Sequence, residues 1–259
     1  MIKLNGVEIK PTIFPDGTSQ VWKINEDVFK ARHSEEQFIE WEFESEGEFI
    51  HLAQLCDLIE AKGLYVDDLY IPYLPYARQD KEVSNSTTFA KKTFVRLLKT
   101  LPNIKGISSD DIHSEIYRGI MDKSPYGFIV KTMEEIKPSL VCFPDKGARD
   151  RYGAYPLFTT GIQSLRVETC SMTKERDQST GFIKNLFLNE LVNIEGESVL
   201  IIDDICDGGM TFKLTAERLL TLGAKEVNLY TTHGIYSKGV ETLKESGINR
   251  IFNRKGEVE

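Results

Sequence analysis

The sequence predicts an α/β protein of two lobes, each a mainly parallel sheet flanked by helices. Three observations predict it. Short apolar runs alternate with amphipathic stretches along most of the chain, the pattern of strands joined by crossover helices. The chemically pointed residues fall just after the apolar runs, where open α/β sheets bind their ligands. A faint internal echo relates the halves: SSDDIHSEIYRG and IIDDICDGG both place Asp-Asp-Ile after an apolar run, and IHSEIYRG loosely resembles THGIYSKG. Two related lobes meeting near residues 120–135 account for the echo, and the division is drawn as 1–125 and 126–259. A chain of 259 residues is long enough to give each lobe its own core.

The elements follow in order. TIFPDGTSQVWKI reads as short strands around a turn at Pro15-Asp16-Gly17. EFIHLAQLCDLIEAKG sets Phe49, Leu52, Leu55, Cys56 and Ile59 at helical spacing and stops at Gly63. DLYIPYL, IKGIS, SLVCF, LRVET, VLIID and EVNLYTT read as strands. TTFAKKTFVRLLKT, TFKLTAERLLTLGA and the segment from Gly239 to Ser246 read as helices.

Composition narrows the function classes. A hydrophobic fraction of 41% with 28% charged residues is ordinary for a soluble globular protein. The net charge of −8 argues against loose binding to nucleic acid, which needs a basic surface to displace counterions, and leaves room for a local basic pocket that takes a small anion. Cys56, Cys142, Cys170 and Cys206 form no CxxC pair, which argues against a disulfide framework or a zinc site and fits a reducing cytoplasm. No secretory signal is visible and no apolar run approaches the ~20 residues of a membrane span, so no membrane partner is expected.

The most informative stretch is VLIIDDICDGGMTF, Val199 to Phe212. An apolar strand passes Asp203, Asp204 and Asp207, crosses Gly208 and Gly209, and enters a helix at Met210 and Thr211. The glycines let main-chain amides approach a phosphate, the helix N-terminus adds partial positive charge, and Thr211 can cap the helix and donate a hydroxyl. The carboxylates suit sugar hydroxyls or, alternatively, Mg²⁺ bridging to a diphosphate.

This segment resembles the ribose-phosphate-binding signature shared by type I phosphoribosyltransferases and ribose-phosphate diphosphokinases (phosphoribosyl pyrophosphate synthetases). YIPYLPYARQDKE, Tyr70 to Glu82, is similar to the diphosphokinases' PY.PYARQD stretch, and the resemblance places Arg78 and Gln79 on ATP. FPDGT resembles the FSDGE loop at the ATP site, which implies Phe14 and Asp16 there. SDDIHSE resembles VDLHAE and implies His113 on the magnesium and triphosphate. FPDKG resembles SPD-G and implies Asp145 as a second magnesium-associated acid. SMTKERDQSTG resembles the mobile catalytic loop, implying Lys174 and Arg176 as its cations, and YTTHGIYSKG resembles the strand ending in ATHPIFSG.

The resemblance implies lobes of type I phosphoribosyltransferase-like architecture, an N-terminal one for ATP and a C-terminal one for ribose phosphate. It implies transfer of the β,γ-diphosphate of ATP to the C1 hydroxyl of a 5-phosphorylated ribose, with Mg²⁺ as cofactor, AMP as the leaving group and a homo-oligomeric protein. Lys174, Arg176 and His113 are then the catalytic groups, and Asp203, Asp204, Asp207 and Gly208 to Thr211 bind the sugar phosphate. The sequence departs from the family at several points. Gly208-Gly209-Met210-Thr211 stands where the family has Thr-Gly-Gly-Thr, and Thr18 stands where it has Glu. EDVFKARHSEEQFIEWEFES replaces a stretch used in the family for hexamer contacts and regulation. These departures read as a compact, phage-like or minimal version, acting in the cytoplasm of the cell or its host. The altered phosphate loop opens an alternative acceptor, ADP-ribose, since relatives of similar sequence use it in rebuilding NAD. A salvage phosphoribosyltransferase and a non-catalytic regulator of a synthetase are the other readings.

Overall fold

Leu140–Phe143 is four residues long and buried throughout, as a central parallel strand covered on both faces must be. It belongs to the second of two units, Met1–Lys123 and Ser124–Glu259, into which the chain divides. The computed structural model describes residues 1–21, 23–30, 35–79, 84, 86–114, 119–155, 160–162, 167–176 and 183–259, with the side chains of 174–176 and 183–185 excepted.

In the first unit the elements are β1 (Ile2–Leu4), β2 (Val7–Ile9), β3 (Thr12–Ile13), β4 (Ser19–Gln20), α1 (Glu26–Lys30), β5 (Glu36–Trp41), α2 (Glu48–Ala61), β6 (Tyr65–Tyr70), α3 (Ala90–Leu98), β7 (Ile104–Asp110) and β8 (Met121–Lys123). Among the described residues they give a six-stranded sheet in the order β2-β1-β5-β6-β7-β8, parallel from β5 to β8, and a separate β3–β4 hairpin. Leu52, Leu55, Cys56 and Ile59 of α2 are all buried, so the helical spacing read from the sequence is the face that meets the core. Trp41 is fully buried against Phe43, Phe49 and Phe94.

The second unit contains α4 (Tyr126–Ile136), β9 (Leu140–Phe143), α5 (Lys146–Gly153), β10 (Glu168–Arg176), β11 (Ile183–Leu188), β12 (Ser198–Cys206), α6 (Met210–Thr221), β13 (Glu226–Gly234), α7 (Glu241–Lys244), β14 (Ile248–Asn253) and β15 (Gly256–Glu257). Among the described residues the sheet has seven strands in the order β11-β10-β9-β12-β13-β14-β15, with only the two outermost pairs antiparallel. One face packs Val199 and Ile201 with Phe212, Ala216 and Leu219 of α6; the other packs Leu200 and Ile202 with Tyr152 and Ile129. Successive residues of one strand thus feed two cores, which is why β12 is apolar without alternation.

Several sequence expectations need correction. DLYIPYL is not one strand: β6 starts earlier and ends at Tyr70, because Pro72 and Pro75 cannot donate to a ladder and Tyr76 takes φ 64. The helix expected from Thr87 to Thr100 begins only at Ala90. Strands β1, β2 and β5 and helices α4 and α5 were not anticipated. Neither was the extension of β10 through Ser171–Arg176, a stretch expected in a mobile loop: it pairs antiparallel with β11, matching Lys174 to Leu186 and Arg176 to Ile183. The remainder of that expected loop, 177–181, lies outside the described residues.

Candidate functional site

The carboxyl edge of the second sheet gathers the acidic residues. β12 and β13 run in register with Asp203 opposite Thr231 and Cys206 opposite Gly234, so both strands deliver their following turns to one edge. Asp145 follows the buried end of β9 and caps α5, its Oδ1 accepting from the Ala148 N–H at 2.9 Å. Asp204 is buried, and Arg151 Nη1 from α5 lies 3.8 Å from its Oδ2. Asp203 is partly buried, and its Oδ1 accepts from the Asp204 N–H at 2.9 Å. Burial pushes the Asp203 carboxyl well above the usual carboxylate range, and the neighbouring charges of Asp204 and Asp145 push the same way. Three carboxylates thus share one negative field, which a cation or a set of sugar hydroxyls would relieve.

The turn after β12 forms the cradle. Gly209 stands at the N-cap of α6 with φ 75, a left-handed conformation that glycine adopts without strain, and no side chain caps the helix there. The leading amides of a helix of 12 residues are therefore presented at the sheet edge, where an anion is favoured. Met210 is 63% exposed beside them, and Thr211 is half-buried. The segment after β13 closes on this turn. The N–H groups of Ile235 and Tyr236 both donate to the Cys206 carbonyl, at 2.8 and 3.2 Å, and Ser237 Oγ donates to Asp207 Oδ1 at 2.6 Å.

The first unit brings together another set. Beyond β7, Asp111 (φ 41) leads into the half-buried His113. Ser114 Oγ donates to the Ala77 carbonyl at 2.7 Å and accepts from Lys91 Nζ at 2.7 Å. That bond ties the backbone beside His113 to the turn carrying Arg78 and Gln79, both exposed. The turn is held also by Asp110 N–H to the Pro72 carbonyl and by Gln79 N–H to the Tyr76 carbonyl. Phe14 and Asp16 belong to the turn of the β3–β4 hairpin. Asp16 Oδ1 accepts from Thr18 N–H and Thr18 Oγ1, at 3.0 and 2.7 Å, while Phe14 borders a hollow of about 480 Å³ with Ser19, Gln20, Val21, Gln54 and Asp57. Lys174 and Arg176 are placed by backbone alone, in β10.

Sequence reading therefore named Asp145, Asp203, Asp204, Asp207 and the glycine turn, which the fold assembles in one unit. It also named Arg78, Gln79 and His113, which the fold assembles in the other. It missed Arg151, Ser237, Lys91 and Ser114. Each reaches its partner from a distant segment, and only the quoted motifs containing Ser114 and Ser237 gave any signal. Among the described residues no group of three or more His, Cys, Asp or Glu side chains is placed to hold a metal ion by itself.

Residues 151–255 match the phosphoribosyl transferase domain family. A ribose-phosphate pyrophosphokinase of Saccharolobus solfataricus is 25% identical over 257 residues, spanning 95% of this chain and 83% of the relative. One of Thermococcus kodakarensis is 29% identical over 244 residues, spanning 92% and 80%. The crystal structure of phosphoribosylpyrophosphate synthetase from Mycobacterium smegmatis superposes with a TM-score of 0.71 at 20% identity, covering 95% of this chain and 79% of that one, and so shares the fold.

Proposed function

This chain belongs to the ribose-phosphate pyrophosphokinase family of diphosphotransferases, and from that premise we propose that it moves the β,γ-diphosphate of ATP onto the C1 hydroxyl of a 5-phosphorylated ribose. With ribose 5-phosphate the products are phosphoribosyl pyrophosphate and AMP. The C1 oxygen forms a bond to the β-phosphorus, the bond from that phosphorus to the α-bridging oxygen breaks, and AMP leaves with the electron pair. The proton of the C1 hydroxyl passes to water.

The observation that carries the reading is the acidic edge of β12 running into the open glycine turn and uncapped N-terminus of α6. The amides and Thr211 hold the 5-phosphate, while Asp203, Asp204 and Asp207 accept from the ribose hydroxyls. The charge spread over the transferring phosphoryl oxygens is met by positioned cations, and Lys174 and Arg176 are assigned that role. ATP is assigned to Phe14, Asp16, Arg78, Gln79 and His113, with Arg78 suited to bidentate phosphate contact.

Carboxylate oxygens are hard donors of the kind Mg²⁺ selects, so the acidic edge fits that ion. In the second unit Asp145, and in the first His113, are each assigned to magnesium through phosphate oxygens and water, and the ion when bound would neutralise phosphate charge. The protein is further proposed to act as a homo-oligomer in the cytoplasm; no helix among the described residues is long and apolar enough to cross a membrane.

A second acceptor, ADP-ribose, is favoured by one observation. Gly208 carries no side chain and Met210 is 63% exposed, leaving the mouth of the cradle open where a 5-diphosphate ester would continue. Incubation with Mg-ATP and each acceptor, following AMP release, separates the readings. AMP with ribose 5-phosphate supports the first, and AMP with ADP-ribose alone supports the second. No AMP with either removes both, leaving a salvage transferase or a non-catalytic regulator.

A further inference from the structure

Gly208 leaves a gap in the cradle, and two side chains from a distant segment border it. A Cβ placed on Gly208 would lie 3.7 Å from Lys238 Cγ and 4.0 Å from Ser237 Oγ, ordinary contact distances with no clash. The stem of Lys238 therefore lies along the open face of the turn that leads into α6. From Cγ a lysine has three further bonds to its ammonium, a reach of roughly 4 Å on a flexible stem. Lys238 is exposed, and among the described residues it takes part in no ion pair.

From this placement we infer that Lys238 binds the phosphate borne by the pentose and so determines which acceptors the site takes. The inference rests on the acceptor reading above, and deepens it. An anion set against α6 would meet the helix amides on one side and Asp207 on the other. Asp207 is repulsive to a phosphate. Ser237 offsets part of that repulsion by donating to its Oδ1 at 2.6 Å, and the ammonium of Lys238 supplies a full positive charge where the turn has no side chain of its own. A lysine is a point charge without the fixed fork of arginine, so it accepts a phosphate monoester or either phosphate of a diphosphate ester and rejects the uncharged sugar.

Calorimetric titration of the full chain and its Lys238→Ala and Lys238→Arg variants with ribose 5-phosphate, ADP-ribose and ribose tests this. The alanine variant is expected to bind the phosphorylated ligand about tenfold more weakly, and the arginine variant within about threefold of the unaltered chain. Ribose binding should be equal in all three, and strong salt should narrow the gap between chain and variant. An alanine variant that binds the phosphorylated ligand as the unaltered chain does, or that loses ribose in equal proportion, overturns the inference alone. An unaltered chain that binds neither phosphorylated ligand overturns both the inference and the acceptor reading beneath it.

Discussion

Ser237 Oγ donates to Asp207 Oδ1 across 2.6 Å, joining the segment after β13 to the acid that opens the glycine turn after β12. Thirty residues of chain separate the two, and the parallel register of β12 with β13 is what brings them to one edge. Replacing Ser237 by Ala removes this hydrogen bond from the Asp207 carboxylate and leaves more of its charge facing the phosphate proposed to bind there. Both residues reach solvent, so the loss in stability should stay within about 1 kcal/mol, while acceptor affinity falls about fivefold. KM for acceptor and for ATP should be measured side by side. An equal rise in both constants would mean that Ser237 does not act through the acceptor site.

Glu190 fastens the base of the β10–β11 hairpin. Its Oε2 accepts the Ser171 N–H at 2.7 Å, its Oε1 lies 3.2 Å from Ser171 Oγ, and it pairs with the Arg149 guanidinium. Asn189 completes the clasp, its Nδ2 donating to Ser171 Oγ at 2.9 Å and its N–H to the Ser171 carbonyl at 3.0 Å. Ser171 is buried, so Glu190→Ala strands its N–H at a cost of about 1–3 kcal/mol. The hairpin so loosened carries Lys174 and Arg176. Turnover at saturating substrates, measured well below the unfolding midpoint, should drop several-fold. Glu190→Gln keeps an acceptor for the N–H and should recover most of it. Failure of the glutamine variant to do better than alanine would tie the effect to the Arg149 charge instead.

Gly209 is confined by both backbone and packing. At φ 75 an L side chain is strained, and an added Cβ would come 2.6 Å from Leu243 Cδ2, the end of a buried side chain. Gly209→Ala should therefore cost about 1–2 kcal/mol of conformational strain and about 1–3 kcal/mol of overpacking. The unfolding midpoint should fall by several degrees. In a Leu243→Ala background the overpacking vanishes, and the same glycine replacement should cost only the strain. Equal costs in the two backgrounds would rule out the contact as a cause.

The parts legible in the sequence are those whose burial is uniform. β9, and β12 as far as Ile202, lie deep in a parallel sheet and read as unbroken apolar runs. β5 does not, because its buried face is Gln37, Ile39 and Trp41, and the polar Gln37 breaks the alternation. Gln37 is tolerated there because Asn5 Nδ2 donates to it at 2.8 Å and it donates to the Phe29 carbonyl at 3.3 Å, partners invisible in a local window. β1 and β2 did leave a readable sign. Asn5 and Gly6, at φ 50 and 85, are the Asn-Gly pair that a two-residue hairpin favours. β10 was hidden by its own charges, since Lys174-Glu175-Arg176 at a strand edge looks like loop. In the site, the residues within one motif were named, whereas Arg151, Ser237 and Lys238 are brought to the acidic edge only by the sheet.

Glu48 gives the first unit an acid-sensitive anchor. Its Oε2 accepts from the Trp41 indole at 3.0 Å and from the Glu44 N–H at 2.8 Å, while its Oε1 meets the Met1 amino group. Burial acts to raise this carboxyl, but the donors outweigh it and hold the group below the ordinary value of 4.5. The sign of the linkage follows. The folded state binds fewer protons than the unfolded state between the two pKa values, so the contribution is complete above the unfolded value. It is lost as pH falls through the folded one. Glu48→Gln keeps the size of the side chain and removes the titration. At about pH 7 the variant should be less stable by about 1–3 kcal/mol, with one or more donors left short of an acceptor. As pH falls through the folded pKa the two midpoints should converge, because the protonated glutamate then resembles the amide. A stability gap that stays constant over this range would show that the Glu48 charge contributes nothing, and that the cost of the variant is one of shape.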